Sequence, residues 1–156
     1  MSNKLFQNAK YRILILGING MIGHKLFNYF SEQNNFETIG VLRRFKNNFD
    51  SGKKIIENEN FTLPKKLVGL IDNTSPNMVI NCVGILNKKA EDNPELAIWI
   101  NSYFPHLLSS YGLKFKFKLI HISTDCVFSG KTGNYTESSY RDGFGFYAQS
   151  KALGEV

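Results

Sequence analysis

Residues 11–23 have the sequence YRILILGINGMIG, which indicates the fold more directly than any other stretch of the chain. Tyr11 to Leu16 is a near-continuous apolar run, as expected for a strand that helices cover on both faces. Over residues 21–33 the apolar side chains recur at the spacing of an amphipathic helix. The stretch therefore predicts a strand, a glycine-containing turn and a helix, in that order.

Three glycines occupy this turn with the spacing G-x-x-G-x-x-G. The first permits a tight turn, the second lets the backbone approach a pyrophosphate closely, and the third lets the helix pack against the strand. The helix N-terminus adds free N–H groups and the positive end of its dipole. The pattern favours a dinucleotide site over simple turn chemistry. Its cofactor-binding residues would be Gly17, Asn19, Gly20, Met21, Ile22 and Gly23.

Apolar runs of strand length alternate with helical patterns along the rest of the chain. Further strands are predicted at residues 37–42, 54–56, 78–83 and 117–122. Helices are predicted at residues 63–73, 93–111 and 147–156, and a polar, site-forming loop at residues 129–145. Asn93 should cap the helix at residues 93–111, and Pro105 should perturb it. These repeated βαβ units predict an α/β fold, a Rossmann-type doubly wound parallel sheet with helices on both faces.

Composition points to one ordinary soluble domain. Of the 156 residues 42% are apolar, and the 19 Lys and Arg residues outnumber the 13 Asp and Glu residues, which gives a net charge of +6. We expect a cytoplasmic protein with no membrane partner, because the sequence shows neither a signal peptide nor a membrane span. Cys82 and Cys126 fit two reduced core thiols and no zinc pattern, so no metal is expected. The scattered basic pairs suit a phosphorylated small molecule, and only the net charge would favour nucleic acid, which we do not expect as a partner.

Arg43 and Arg44 follow the predicted second strand, with Arg43 twenty residues after Gly23. An NAD site usually places an acidic residue there, on the ribose 2′-hydroxyl. Arginine instead can pair with a 2′-phosphate through two hydrogen bonds. The pair therefore favours NADP(H), with NAD(H) as the other option, and the alternative is two solvated arginines at a strand end.

Tyr147 and Lys151 are four residues apart, which places them on one face of the last predicted helix. A neighbouring ammonium lowers the pKa of a phenol from its ordinary value of about 10, which suits the phenol to proton transfer. The strand at residues 117–122 leads into Ser123 and Thr124, at the sheet edge where open α/β folds bind ligands. Strand alternation lets one of these two hydroxyls face the cleft without selecting which.

The order of these features resembles the extended short-chain dehydrogenase/reductase family. Within that family, three segments are similar to the dTDP-4-dehydrorhamnose reductase branch: STDCVFSG at residues 123–130, GNYTE at residues 133–137 and YAQSK at residues 147–151. The resemblance implies reduction of a dTDP-4-keto-6-deoxy sugar by NADPH, in the biosynthesis of cell-surface polysaccharides. The expected partner is therefore a nucleotide sugar.

By position, the resemblance implies that Thr124, Tyr147 and Lys151 are the catalytic residues, and it selects Thr124 over Ser123. Lys151 and Tyr147 would also contact the cofactor. Asp125 would join Thr124 and Tyr147 in binding the substrate.

The resemblance also implies that Val83 and Gly84 line the cofactor after the fourth strand. Asn101 would lie near the active site, with a helix-bending or surface amide as the alternative. Cys126 stands where many relatives have tyrosine, and we expect a packed thiol there. His24, His106 and His121 are expected to be structural or surface residues.

Relatives in this branch continue beyond the catalytic helix into further strands and a substrate domain. The resemblance therefore implies that residues 1–156 are an incomplete, C-terminally truncated NAD(P)-binding domain whose last helix is unfinished, with a homodimer expected only for a full-length form. One alternative function is a sugar-nucleotide epimerase or dehydratase, which NAD would favour. Another is a catalytically silent NADP-binding module or regulatory subunit.

Overall fold

The computed structural model describes residues 10–45, 49 and 52–155, and a sheet of five parallel strands lies at its centre. The strands are β1 (Tyr11–Leu16), β2 (Phe36–Leu42), β3 (Lys54–Glu57), β4 (Met78–Asn81) and β5 (Lys118–His121). They lie in the order β3-β2-β1-β4-β5, and every neighbouring pair is parallel. This order reverses direction on either side of β1, and it confirms the Rossmann-type sheet.

The helices connect the strands in the expected alternation. They are α1 (Met21–Ser31), α2 (Pro64–Thr74), α3 (Asn87–Asp92), α4 (Pro94–Ala97), α5 (Phe104–Phe115) and α6 (Gly145–Ala152). A π-helical turn, Ile98–Tyr103, joins α4 to α5, and a single 3-10 turn, Asp125–Val127, follows β5. The short helix α3 was not predicted from the sequence.

β1 contributes to two hydrophobic cores because its side chains alternate between the faces of the sheet. Leu14 and Leu16 pack in one core with residues of α2 and α5, such as Leu67 and Leu108. Ile13 and Ile15 belong to the other core, where α1 supplies Phe27. The prediction of helices on both faces is thereby confirmed.

The helix predicted at residues 93–111 begins and is perturbed where the sequence predicts, with Asn93 at the N-cap position and an irregularity beside Pro105. The Asn93 side chain does not cap it, since its Nδ2 donates to the carbonyl of Lys89 at 3.3 Å. The irregularity lies in the π-helical turn Ile98–Tyr103, just before Pro105. Proline has no N–H to donate to the carbonyl of Asn101 four residues earlier, so the regular helical pattern cannot continue through it.

The prediction that the last helix runs to Val156 was wrong. α6 ends at Ala152, and the N–H of Gly154 donates to the carbonyl of Lys151 at 3.0 Å. A Cβ on Gly154 would lie 1.8 Å from the carbonyl oxygen of Asn101, so only glycine fits at this contact. His106 Nε2 lies 2.7 Å from the carbonyl oxygen of Leu153. The helix end is therefore satisfied within the chain.

The two cysteines are not both core thiols. Cys82 is half-buried, and burial raises the pKa of its thiol to about 11. Cys126 is exposed, with its Sγ 3.7 Å from Oδ1 of Asp125, so the prediction of a packed thiol was wrong there. The 3-10 turn after β5 carries Cys126 away from the strand and out to the surface.

Candidate active site

The glycine turn adopts the close-packed geometry that its sequence predicts. Gly17 has a φ of +86°, a conformation that favours glycine, and its N–H donates to the carbonyl of Val41 at 2.9 Å. A Cβ on Gly23 would lie 2.4 Å from the carbonyl oxygen of Gly17. The turn therefore packs the start of α1 directly against the end of β1.

The first turn of α1 is open to an anion. Gly20 stands at its N-cap and has no side chain to bond the free N–H groups, and the turn contains Met21, Ile22, Gly23 and His24 rather than an acid. The side chains of Met21 and Ile22 are exposed, so their contribution to a bound phosphate would come from the backbone. The turn thus fits the pyrophosphate of a dinucleotide.

A cleft of about 640 Å³ begins at this turn and runs along the carboxyl ends of the strands. Most of the residues predicted to bind a cofactor line it together: Gly17, Asn19, Gly20, Arg43, Arg44, Val83 and Gly84. Leu42, Glu59, Asn60, Phe61 and Cys82 complete the wall. An adjoining cleft of about 420 Å³ shares Arg43, Val83 and Gly84 and extends to Trp99.

Asn19 ties the glycine turn to the end of β2. Its Nδ2 donates to the carbonyl of Arg44 at 2.7 Å. Its Oδ1 is buried and has no hydrogen-bond partner among the described residues.

The two arginines have different surroundings. Both are exposed, but Arg44 forms a salt bridge with Glu59. Arg43 forms no hydrogen bond or ion pair with any residue that the structure describes, and it lines both clefts. Of the two, Arg43 is therefore the guanidinium that is available to an anionic ligand.

Lys151 lies at the carboxyl end of β5, with 3% of its surface exposed. Its Nζ donates to the carbonyl of Ile122 at 2.7 Å and lies 3.3 Å from Nε2 of His121. Burial lowers the pKa of Lys151, and the nearby charge of Glu155 opposes this effect. Burial and the charge of Lys151 also lower the pKa of His121 to about 4.

Tyr147 lies one turn before Lys151 on α6 and is half-buried. Its backbone N–H donates to Oε1 of Glu91 in α3 at 3.1 Å. This contact satisfies a free N–H in the first turn of α6 and places a negative charge at the positive end of the helix. Within the described part of the chain, no hydrogen bond joins the Tyr147 hydroxyl to Thr124 or Lys151.

The two hydroxyls after β5 make different contacts. Ser123 Oγ donates to Glu155 at 2.7 Å, and Glu155 also pairs with Arg141. Thr124 Oγ1 accepts the N–H of Cys126 at 3.2 Å and lies 3.4 Å from Asp125 Oδ1. The long contact to Asp125 is weak, so the Thr124 hydroxyl can redirect its proton towards a ligand, whereas Ser123 is engaged with a carboxylate.

Asn101 is fully buried and acts as a clamp rather than a surface amide. Its Oδ1 accepts the N–H of Ile85 and its Nδ2 donates to the carbonyl of the same residue, both at 2.8 Å. Nδ2 also donates to Ser150 Oγ of α6 at 3.1 Å. Asn101 therefore joins the segment after β4 to the helix that carries Tyr147 and Lys151.

The loop between Phe128 and Phe144 is held by its own side chains. Ser129 donates to Asp142 from its backbone at 2.8 Å and from its hydroxyl at 2.6 Å, which lowers the pKa of Asp142. The rings of Phe128 and Tyr135 stack at 4.5 Å. These contacts fix the shape of the loop that precedes α6.

Sequence reasoning missed several residues that organise the site: Asn81, Glu91, His121, Arg141 and Glu155. Among residues 10–45, 49 and 52–155, no group of three His, Cys, Asp or Glu side chains could hold a metal ion. None of the helices in this part of the chain is long and apolar enough to cross a membrane.

Three features define the class of protein to which this domain belongs: a parallel Rossmann sheet, an open glycine turn and a lysine buried at the carboxyl end of β5. This is a Rossmann-type domain of the kind that binds NAD or NADP. A family model described as the RmlD substrate binding domain matches residues 11–156, and the chain belongs to that family.

The chain is similar to curated proteins and to solved structures of this kind. A probable low-salt glycan biosynthesis reductase, Agl14 of Haloferax volcanii, is 29% identical over 143 residues, covering 90% of this chain and 46% of that protein. The methionine adenosyltransferase 2 subunit beta of Mus musculus is 27% identical over 146 residues, covering 92% and 41%.

A hypothetical dTDP-4-dehydrorhamnose reductase from Sulfolobus tokodaii matches with a TM-score of 0.77 at 29% identity, covering 92% of this chain and 50% of that one. A dTDP-4-dehydrorhamnose reductase of Bacillus anthracis, solved in complex with NADP, shares the fold with a TM-score of 0.74 at 23% identity, covering 98% and 49%. The chain thus spans about half the length of these proteins.

Proposed function

We propose that this chain is the cofactor-binding part of an NADPH-dependent reductase of a nucleotide-linked 4-keto-6-deoxy sugar. The observation that carries the proposal is that Lys151 lies at the carboxyl end of β5, the same edge of the parallel sheet on which the glycine-lined cleft opens. Lys151 is buried against β5, and Tyr147 is one turn away on α6. The substrate class rests on the family and on the similarity to reductases that act on related sugars.

Each chemical group of a dinucleotide can be assigned to residues of this part of the chain. The N–H groups at the start of α1 would hold the pyrophosphate, and Arg43 would pair with the 2′-phosphate of the adenosine ribose. Val83 and Gly84 would line the path towards Lys151, which would hold the nicotinamide ribose. When bound, the reduced nicotinamide supplies the hydride.

The protein residues supply the proton transfer. Tyr147 donates its phenolic proton to the carbonyl oxygen of the sugar as that oxygen gains negative charge. Lys151 stabilises the resulting phenolate through its ammonium. Thr124 donates a hydrogen bond to the same carbonyl oxygen, which orients the ketone, and Asp125, the next residue, would contact the substrate.

Cofactor titration of the 156-residue chain tests the first half of this proposal. Trp99 lines the smaller cleft, which shares Arg43, Val83 and Gly84 with the glycine-lined cleft, so its fluorescence reports binding there. We expect NADPH to bind in the micromolar range and more tightly than NADH. Absence of binding by the folded chain would refute the proposed cofactor site.

Activity is tested on a full-length form with a dTDP-4-keto-6-deoxy sugar and NADPH. Tyr147→Phe should abolish turnover while leaving NADPH binding within about twofold, because the phenyl ring keeps the packing and removes only the proton donor. Turnover by Tyr147→Phe at the normal rate would refute the assignment of the proton donor.

A second candidate is a non-catalytic, NADP-binding subunit. It is favoured by the similarity to the methionine adenosyltransferase 2 subunit beta over nearly the whole chain. The same experiments separate the two: a subunit of this kind would bind NADPH yet show no sugar reduction in the full-length form. The presence of both Tyr147 and Lys151 favours the reductase.

A further inference from the structure

His121, the last residue of β5, contacts Lys151. Its imidazole lies between Asn81 and Lys151, with Nδ1 3.0 Å from Nδ2 of Asn81 and Nε2 3.3 Å from Nζ of Lys151. Asn81 is fully buried at the end of β4. The three side chains form a chain of contacts from one strand to the next and on to α6.

The backbone of Val83 fixes the orientation of the Asn81 amide. The N–H of Val83 donates to Oδ1 of Asn81 at 3.1 Å, so Nδ2 must be the atom that faces His121. An amide NH₂ only donates, and Nδ1 of His121 must therefore accept. In the neutral imidazole the remaining proton then resides on Nε2, the atom that faces Lys151.

A lysine ammonium has three donors and no acceptor, so it cannot form a hydrogen bond with an N–H group. The contact of Nε2 with Nζ is favourable only when Lys151 is the neutral amine and accepts the Nε2 proton. We propose that His121, held in this tautomer by Asn81, is a positioning residue that disfavours the ammonium form of Lys151. The structural role assigned to His121 from sequence is thereby extended to the protonation state of Lys151.

The other charged groups around Lys151 act in different directions. Glu155 favours the ammonium, but its carboxylate is engaged by Ser123 and Arg141. Tyr147 lies one turn away on the same helix, and the carbonyl of Ile122 accepts from Nζ in either protonation state. His106 of α5 acts on His121 and contacts the end of α6 without touching Lys151.

In the proposed reductase, on which this step rests, the protonation state of Lys151 also affects proton transfer. There the ammonium of Lys151 stabilises the Tyr147 phenolate, so His121 would set the upper pH limit of proton transfer. The protonation state of Lys151 can be measured without any substrate, however, which keeps the two proposals separable.

The test is an NMR titration of the uniformly ¹³C,¹⁵N-labelled 156-residue chain. The ¹³Cε resonance of Lys151, assigned by its loss in Lys151→Met, is followed between pH 6 and 11, with the exposed Lys65 and Lys114 as internal references. We expect its midpoint below those of the references. His121→Gln replaces the facing donor with an amide that can turn its oxygen to the ammonium, and it should raise the midpoint by about one pH unit or more.

His106→Gln is the matched control, because it removes an imidazole that contacts α6 but not Lys151, and it should leave the midpoint unchanged. Co-titration of Lys151 with the reference lysines, or an unchanged midpoint in His121→Gln, would overturn the inference. Should that variant fail to fold, the imidazole ¹⁵N shifts of the wild-type chain decide, since a proton on Nδ1 of His121 overturns the inference directly. Failure of NADPH binding alongside the expected midpoints would reject the reductase and leave this inference standing.

Discussion

Replacing Gly23 with alanine should disrupt the glycine turn more than its conservative chemistry suggests. The added Cβ would lie 2.4 Å from the carbonyl oxygen of Gly17 and 2.9 Å from its carbonyl carbon. Real Cβ contacts stay beyond about 3.0 Å, so the start of α1 and the end of β1 must separate by about 0.6 Å or more. Both partners are backbone, and no side-chain rotation can relieve the clash.

The size of the effect follows from two opposing contributions. Overpacking of this kind costs up to about 3 kcal/mol, and alanine gains about 1 kcal/mol over glycine as a helix former, which leaves a net loss of about 2 kcal/mol. In a chain of this length such a loss lowers the Tm by about 4–8 °C. The widened turn should also weaken NADPH binding by at least about tenfold, or about 1.4 kcal/mol.

Gly69 provides the matched control, since it is also a helical glycine, in α2, but apart from its chain neighbours and its own helix backbone no described atom lies within 4 Å of its Cβ position. Gly69→Ala should stabilise the chain by about 0.5–1 kcal/mol and leave NADPH binding unchanged. Urea unfolding followed by Trp99 fluorescence, with an NADPH titration of each variant, measures both quantities. If Gly23→Ala unfolds within about 0.5 kcal/mol of the wild type and binds NADPH equally well, the close-packing argument is wrong.

Three further predictions follow from the site. Arg43→Ala should weaken NADPH binding by about tenfold or more in the fluorescence titration and NADH binding by less than about twofold. Arg44→Ala should weaken NADPH binding less, because Glu59 pairs with Arg44. Equal losses of NADPH and NADH binding in Arg43→Ala would contradict this prediction. Asn101→Ala leaves the N–H and the carbonyl of Ile85 without their side-chain partner, and it should lower the free energy of unfolding in urea by about 1–3 kcal/mol. A decrease below about 0.5 kcal/mol would contradict the role of Asn101 as a clamp. The pKa of His121 is about 4 in the folded chain, below its ordinary value of 6.5. Between about pH 4 and 6.5 the unfolded chain therefore binds a proton at His121 that the folded chain does not. The contribution of neutral His121 to the free energy of unfolding is complete above pH 6.5 and is lost as the pH falls to about 4. His121→Gln should therefore show a shallower loss of stability over that window, and an identical pH dependence would contradict the shift.

Much of the fold was predictable because its signals are local. The strand β1, the glycine turn and α1 are consecutive in sequence, and their apolar spacing and glycines were sufficient to predict them. The pairing of Tyr147 with Lys151 on one helix was likewise predictable from a four-residue spacing. Arg43 and the glycine turn each follow a predicted strand, and the carboxyl ends of parallel strands meet at one edge of the sheet. Their position in one cleft was therefore predictable once the strands were taken as parallel.

The organising contacts of the site were not predictable, because each joins positions far apart in the chain. Glu91 meets the backbone of Tyr147 across 56 positions, and His121 meets Lys151 across 30. The end of α6 depends on the contact of Gly154 with Asn101 in another helix. A lone glutamate or histidine carries no local pattern that distinguishes such a role from ordinary surface or core placement.

The amide of Asn101 links the segment after β4 and α6 into one mechanical unit. A cofactor that displaces the backbone at Ile85 must also move Ser150, and with it the helix that carries the tyrosine and the lysine. The Ile85 amide should consequently exchange its hydrogen with solvent only when α6 detaches, so that the exchange rates of the two segments rise and fall together. A single buried side chain of this kind holds the helix that carries Tyr147 and Lys151 at a fixed position relative to the segment after β4.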